Sequence, residues 1–196
     1  MTCLTTDSRS DAELMAAVAD GRMAALEELA RRHQDSVIAM AYRLLGRWDS
    51  AEDVAQDAFV RIYYAAPAYQ PTAKFTTWLY RIVVNRCLDL KRRQARDPVS
   101  TAQTAIDPPD DPATDPLDAR ETVERVREAV RRLPDRQQIA VVLHRYEDLS
   151  HRAIADATGW SESAVESLLV RGYANLREAL SDMNEIDPPD RRETAG

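Results

Sequence analysis

The chain has 196 residues and is acidic overall, because 33 aspartates and glutamates outnumber 26 lysines and arginines and leave a net charge of −7. It contains no apolar run of the ~18 residues that a membrane-spanning helix needs, and no basic N-terminal segment followed by an apolar core. We therefore expect a cytoplasmic protein without membrane insertion or a signal peptide. The distant cysteines Cys3 and Cys87 predict free thiols rather than a disulfide or a zinc site.

Apolar residues recur every three to four positions up to residue 96, which predicts an N-terminal helical domain over residues 10–96. Helices are expected at 12–18 and at 23–45, the second ended by Gly46. Asp49 or Ser50 should cap a third helix, with an inward stripe of Val54, Ala58, Phe59, Ile62 and Tyr63. Four polar residues of this helix would then face outward: Glu52, Asp53, Gln56 and Asp57.

A basic segment with aromatic residues at its start forms the end of this domain. Between residues 74 and 96 the single acid Asp89 stands among the basic residues Lys74, Arg81, Arg86, Lys91, Arg92, Arg93 and Arg96. Phe75, Trp78 and Tyr80 lie near its beginning. Basic side chains contact phosphates and aromatic rings stack on bases, so this segment predicts a nucleic-acid-binding helix. Trp78 itself lies four residues before Ile82, which favours a place in the core.

Residues 97–118 are rich in proline and aspartate and contain no aromatic or basic residue. Such a composition buries too little apolar surface to fold, so it predicts an extended, flexible, acidic linker. The linker separates the first domain from a C-terminal domain at 119–181. The tail, residues 182–196, has a similar composition and is expected to be disordered.

The C-terminal domain shows the pattern of a helix–turn–helix. Helices are expected at 116–133 and 136–146, followed by a short helix capped by Ser150. Thr158, Gly159 and Trp160 would form the turn, in which the glycine adopts a positive φ. Ser161 would cap the second helix of the motif, which holds the apolar residues Val165, Leu168, Leu169 and Leu176.

Three segments resemble the extracytoplasmic-function (ECF) sigma factors of bacterial RNA polymerase. They read AEDVAQDAFVRIY at 51–63, FTTWLYRIVVNRCLDLKRR at 75–93, and LPDRQQIAVVL at 133–143, followed by the helix–turn–helix. The resemblance covers about residues 20–96 and 120–180. It implies an all-α fold of two small domains, like regions two and four of the sigma-70 family, joined by the flexible linker. The sequence contains no Gly-rich phosphate loop, activated-nucleophile pattern or clustered metal ligands, so we expect no enzyme activity, catalytic residue, metal, cofactor or small-molecule substrate.

The resemblance assigns roles to the polar face of the third helix and to the basic helix. Glu52, Asp53, Gln56 and Asp57 would dock on the clamp of the polymerase β′ subunit, although such residues also suit an ordinary solvated helix face. The minus-ten promoter element and its melted strand would be bound by the basic helix, through Lys74, Arg81, Asn85, Arg86, Lys91, Arg92 and Arg93. In the family, the loop before that helix, here residues 66–74, takes up a flipped base.

The helix–turn–helix would read the minus-thirty-five element with the outward residues Ser161, Ser163, Glu166, Ser167, Val170, Arg171 and Arg177. Here the sequence departs from the family pattern. Glu166 and Leu168 stand where basic residues are usual, Gly172-Tyr173 replaces Ala-Arg, and Ala153 replaces a capping glutamate. Losing basic residues weakens phosphate binding, whereas Glu166 could accept a hydrogen bond from a cytosine amino group.

The expected partners are core RNA polymerase, through its β′ clamp and β flap, and promoter DNA, which would bring the chain to the nucleoid. An anti-sigma factor is a further candidate partner, since most members of the family have one. The acidic linker could mimic nucleic acid in the polymerase or serve only as a soluble spacer. The alternative function is a stand-alone helix–turn–helix regulator that binds operators as a dimer. A protein that only sequesters a partner would leave the basic segment unexplained.

Overall fold

The computed structural model describes residues 9–71, 74–96 and 117–181, with side chains in the last range from residue 121. Within these ranges the chain is helical and contains no strand, as predicted. The helices are α1 (Asp11–Ala19), α2 (Met23–Leu45), α3 (Trp48–Ala65), α4 (Phe75–Arg96), α5 (Leu117–Arg131), α6 (Asp135–Arg145), α7 (His151–Thr158) and α8 (Glu162–Ala179). Most of the predicted linker and the tail lie outside the described residues, but residues 117 and 118 already belong to α5.

The first domain is formed by α1 to α4 around a shared apolar core. Leu14, Met15, Leu29, Met40 and Leu79 are fully buried in it. The sequence sets the ends of the first two helices. Ser10 and Glu13 form a reciprocal capping box at the start of α1. Gly46 ends α2 at a φ of +74°, a left-handed conformation that glycine adopts without steric cost.

The predicted start of α3 was wrong. The helix begins at Trp48, and neither Asp49 nor Ser50 caps it. The Asp49 carboxylate is held by Arg47, whose Nη2 lies 2.6 Å from Oδ2, and it also accepts a hydrogen bond from the Ser50 backbone. The Arg47 guanidinium lowers the pKa of Asp49 from its usual value. Tyr63 was also misplaced: it is 39% exposed, because Ile62 is the buried residue of that turn.

The second domain contains the predicted helix–turn–helix. Ser150 Oγ accepts from the Ala153 backbone and caps α7, and Ser161 Oγ accepts from the Ala164 backbone and caps α8. Gly159 links the two helices at a φ of +74°. Each serine satisfies a backbone N–H that the first turn of a helix leaves without an intrahelical partner. The turn therefore forms where the sequence predicts it.

Gly172 allows α8 to approach α6 closely. A Cβ atom at this position would lie 2.8 Å from Cγ2 of Val141, a distance that forces the Val141 side chain or one of the helices to shift. We expect Gly172→Ala to destabilise the chain by about 1–2 kcal/mol, because overpacking outweighs the better helix propensity of alanine. Thermal unfolding measures this effect. In a Val141→Ala background the added cost should be smaller, and an equal cost in both backgrounds would contradict the close contact.

Candidate functional site

The outward face of α3 is polar at its start and apolar towards its end. Glu52, Asp53 and Gln56 are exposed, whereas Val54, Ala55, Ala58 and Ile62 on the opposite side are buried. Val60 and Tyr64, which are 54% and 77% exposed, were not predicted from the sequence to lie on this face. They follow Gln56 at successive intervals of four residues and continue the same face, and this spacing is the signal that could have found them. This face of α3 therefore presents the carboxylates of Glu52 and Asp53 next to the exposed side chains of Val60 and Tyr64.

The outward stripe of α4 is mainly basic. Arg81, Asn85, Asp89, Arg92 and Arg96 are exposed and follow one another at three- or four-residue intervals, so they lie on one side of the helix. Lys74 and Arg93 are also exposed nearby along the chain. Arg92 is 67% exposed and contacts Asp89 at 3.3 Å. Exposed pairs of this kind contribute little to stability, so Arg92 remains available to a phosphate.

An ion pair joins α3 to α4. Arg86 Nε lies 2.7 Å from Oδ2 of Asp57, with side chains 21% and 45% exposed. The Arg86 N–H does not point at this oxygen, and Nε has no hydrogen bond within the described part of the chain. The contact is therefore electrostatic rather than an aligned hydrogen bond. Asp57, which was predicted to bind polymerase, and Arg86, which was predicted to bind DNA, are therefore paired with each other and are not fully exposed.

Lys91 is not on the open side of α4. Its ammonium lies 2.7 Å from Oδ1 of Asp135 and donates a hydrogen bond to the side chain of Gln138, both on α6. Its side chain is 20% exposed. In this arrangement Lys91 joins the two domains, whereas Lys74, Arg81, Asn85, Arg92 and Arg93 are the members of the predicted set that face solvent.

The loop before α4 packs through aromatic contacts. The ring of Tyr69 lies 5.0 Å from Trp78 and 6.4 Å from Phe75, between ring centroids. Burial raises the pKa of Tyr69, and the charge of Asp11 adds to this effect. Trp78 is half-buried in this cluster and therefore supports the loop. The exposed part of the predicted base-binding loop comprises residues 67, 68, 70, 71 and 74, while 72 and 73 are not described.

All seven residues predicted to read DNA are exposed, either at the N-cap of α8 or along it: Ser161, Ser163, Glu166, Ser167, Val170, Arg171 and Arg177. Three departures from the family pattern serve packing instead. Leu168 is 7% exposed, Gly172 contacts α6, and the Tyr173 hydroxyl lies 2.9 Å from Nδ1 of His144. Of the departures on α8, Glu166 is the exposed one. The loss of positive charge on the open face is therefore concentrated at one position.

Cys87 is buried in the first domain. Burial raises the pKa of the Cys87 thiol to about 12, which suppresses the reactive thiolate. Among the described residues no group of three or more His, Cys, Asp and Glu side chains is arranged to hold a metal ion. None of the described helices is long and apolar enough to cross a membrane.

Family models match both domains. The model for Sigma-70 region 2 matches residues 29–97, and the model for Sigma-70, region 4 matches residues 123–176. These ranges contain the exposed faces of α3 and α4 and the helix–turn–helix, respectively. Most of the proline- and aspartate-rich segment lies between the two matched ranges and belongs to neither of them.

Similar proteins agree with these matches. The chain is 35% identical to the ECF RNA polymerase sigma factor SigM of Mycobacterium tuberculosis over 177 residues, which are 90% of this chain and 87% of SigM. It is 35% identical to SigE of Mycolicibacterium smegmatis, of which it spans 63%. The solved structure of CnrH in complex with the cytosolic domain of CnrY has a TM-score of 0.66 and 28% identity, over 90% of this chain and 99% of CnrH. The chain therefore belongs to the ECF RNA polymerase sigma factors.

Proposed function

We propose that this sigma factor divides promoter opening between two neighbouring helix faces of its first domain. The exposed Glu52, Asp53 and Gln56 of α3 would dock on the β′ clamp of core RNA polymerase. The basic stripe of α4 would hold the minus-ten element and its melted strand. The observation that carries this proposal is the exposure of an acidic face and a basic face on adjacent helices of one domain.

The chemistry of α4 suits a strand that is being separated. Arginine side chains bind phosphate oxygens through charge-assisted hydrogen bonds, and they do so irrespective of sequence. The Asn85 amide, in the same stripe, can pair with a base edge and supply specificity. Asp57 would support both functions indirectly, because its ion pair with Arg86 fixes α3 against α4.

The second domain would anchor the protein at the minus-thirty-five element with α8. Arg171 and Arg177 provide phosphate contacts there, and Ser163, Glu166 and Ser167 are available to base edges. Polymerase would supply the catalysis of RNA synthesis, and the β flap would hold this domain. We further propose that the protein works in the cytoplasm, on the nucleoid when bound to polymerase. CnrH was solved with CnrY, and an anti-sigma factor is accordingly a candidate partner here.

We expect Glu166→Arg to strengthen duplex binding by the polymerase complex, because it replaces an exposed negative charge with a phosphate-binding one. Each added phosphate contact steepens the dependence of log affinity on log salt by about 0.9. Binding at several salt concentrations measures this change. The matched control is Glu178→Arg, which makes the same charge change at an exposed position near the C-terminal end of α8. If Glu166→Arg leaves the slope of log affinity against log salt unchanged, residue 166 does not contact DNA.

Binding measurements with purified components test the proposed function. Labelled chain should bind core polymerase tightly, and chain without polymerase should bind naked promoter duplex weakly. The stand-alone regulator makes the opposite prediction, namely a dimer that binds duplex tightly and does not bind core polymerase. Size-exclusion chromatography with core polymerase, and a duplex titration with the same preparation, therefore decide between the two functions.

A further inference from the structure

An arginine of α6 stacks on the tryptophan that precedes α8, the second helix of the helix–turn–helix. Arg136 is exposed, and its Cζ lies 4.6 Å from the centroid of the Trp160 ring. A guanidinium over the face of an aromatic ring makes a cation–π contact, which is strongest with tryptophan. The pair connects the start of α6 to the turn between α7 and α8, although its two members are distant in the chain.

The turn holds Trp160 in a defined position. Its backbone N–H donates to Thr158 Oγ1 over 3.4 Å, and this hydroxyl donates to the backbone carbonyl of Ile154 over 2.7 Å. The indole is half-buried and packs against the apolar core. Because the next residue, Ser161, caps α8, Trp160 lies at the N-terminal end of that helix. The stacked guanidinium of Arg136 is therefore also placed beside the start of α8.

The stack leaves the hydrogen-bond donors of Arg136 available. The five N–H groups lie in the plane of the guanidinium, so a contact through its face does not use them. Within the described part of the chain, Arg136 forms no ion pair. In contrast, Arg132 lies four residues earlier and pairs with Glu128 at 2.9 Å. Arg136 is thus an oriented cation whose charge no nearby carboxylate of the described residues neutralises.

The position of this cation suits the wall of a DNA groove. In the proposed function the N-terminal residues of α8 enter the major groove. A helix with its side chains is about 10–12 Å across and the major groove of B-DNA is about 12 Å wide, so little space remains beside the helix. A guanidinium on the flank of the helix end accordingly meets the phosphates that line the groove. Phosphate oxygens accept two parallel N–H groups of an arginine in a bidentate contact.

We propose that Arg136 binds a DNA phosphate beside the minus-thirty-five element and that Trp160 is the positioning residue that orients it. This inference rests on the proposed function of the second domain. It adds a contact from α6, outside the helix–turn–helix itself, and offsets the negative charge that Glu166 places on the open face of α8. The contact contributes affinity irrespective of the base sequence, because phosphates carry no sequence information.

Salt-dependent binding tests this contact in the complex of the full chain with core polymerase. The probe is a promoter duplex that this complex selects from genomic fragments by run-off transcription. Arg136→Ala should weaken binding about tenfold and reduce the slope of log affinity against log salt by about 0.9. Arg136→Lys should keep most of the slope and lose part of the affinity, because an ammonium retains the charge without the planar fork. The matched control, Arg132→Ala, removes an exposed arginine that already has a carboxylate partner and should change neither quantity.

A methylphosphonate scan of the same duplex locates the phosphate. Each methylphosphonate replaces one charged phosphate of the minus-thirty-five region by a neutral group. At one position, or at two adjacent positions, it should weaken binding of the wild-type complex by about tenfold and hardly affect the Arg136→Ala complex, since the contact is already lost there. If every methylphosphonate weakens the two complexes by equal factors, Arg136 binds no phosphate and the proposal is overturned.

Trp160→Leu separates the orientation of Arg136 from folding. Leucine keeps an apolar side chain against the core, circular dichroism establishes that the variant is folded, and Trp160→Met takes its place if it is not. Duplex binding should weaken by about threefold, with no further loss when Arg136→Ala is added. An equal loss with and without the Arg136 side chain would show that Trp160 acts through packing alone, and would overturn its positioning role.

The two proposals fail in different ways. If Arg136→Ala binds the duplex like Arg132→Ala while methylphosphonates elsewhere in the minus-thirty-five region still weaken binding, the inference about Arg136 is wrong and the proposed function stands. If the wild-type complex selects no promoter, or if no methylphosphonate in that region affects it, the proposed function of the second domain is contradicted together with the inference.

Discussion

Open-complex formation should fall by roughly 100-fold or more when Arg92 and Arg93 are both replaced by alanine. Both side chains are exposed on α4, and each can make a charge-assisted contact with a phosphate of the melted strand. Such contacts contribute about 1.5–3 kcal/mol, and about 1.4 kcal/mol corresponds to a factor of ten. Reactivity of unpaired thymines with permanganate, followed in time after mixing with core polymerase, measures the melting step.

The same double variant should bind core polymerase like the wild type, because α3 carries the proposed docking face. Its opening rate should also depend less on salt, by about 0.7 in slope for each lost single-strand contact. Arg22→Ala with Arg132→Ala is the matched control, since both arginines are exposed and lie outside α4. Equal losses of core binding and melting would contradict the separation of the two surfaces.

Core affinity should fall about tenfold or more in the double variant Glu52→Ala/Asp53→Ala. Both carboxylates are exposed on α3, and their removal leaves the buried side of the helix unchanged. Charged residues at interfaces guide association and, when desolvated, contribute about 1–3 kcal/mol. Competition with a labelled sigma factor for core polymerase measures the affinity. Stability should change little, because exposed substitutions without structural contacts usually shift it by less than about 0.5 kcal/mol.

The control for this variant removes two exposed acids elsewhere, Glu27 on α2 and Glu121 on α5. It changes the net charge by the same amount and should leave core affinity near the wild-type value. If both double variants weaken binding equally, the effect is one of overall charge, and the assignment of the docking face to α3 is wrong.

Local signals in the sequence were sufficient for most helices and for the polar residues of the exposed faces. Ser150 and Ser161 cap where serine is followed by a helical apolar pattern, and Gly46 and Gly159 end helices in the left-handed conformation. The exposed residues of α3, α4 and α8 follow from helical spacing once the apolar side is known. The caps, the helix ends and the exposed faces each depend on residues only a few positions away in the chain, so a single sequence is enough to predict them.

Contacts between distant residues were not readable in this way. Nothing in the amino-acid pattern indicates that Lys91 pairs with Asp135 or that Glu147 is buried against Ser36, because neither pair is close in the chain. The packing role of the departures from the family pattern on α8 was not readable either. Leu168 and Gly172 face the core, and only the packing of α8 against α6 reveals this. At the start of α3, Arg47 competes for the Asp49 carboxylate and so prevents the expected cap.

Run-off transcription with core polymerase on a library of genomic fragments measures whether this chain directs promoter-specific initiation. We expect transcripts that appear only when this chain is added and that begin downstream of a shared sequence motif. We also expect these transcripts to be lost with Glu52→Ala/Asp53→Ala at limiting polymerase and with Arg92→Ala/Arg93→Ala at saturating polymerase. Core polymerase that produces the same transcripts with and without the chain would contradict the proposed function.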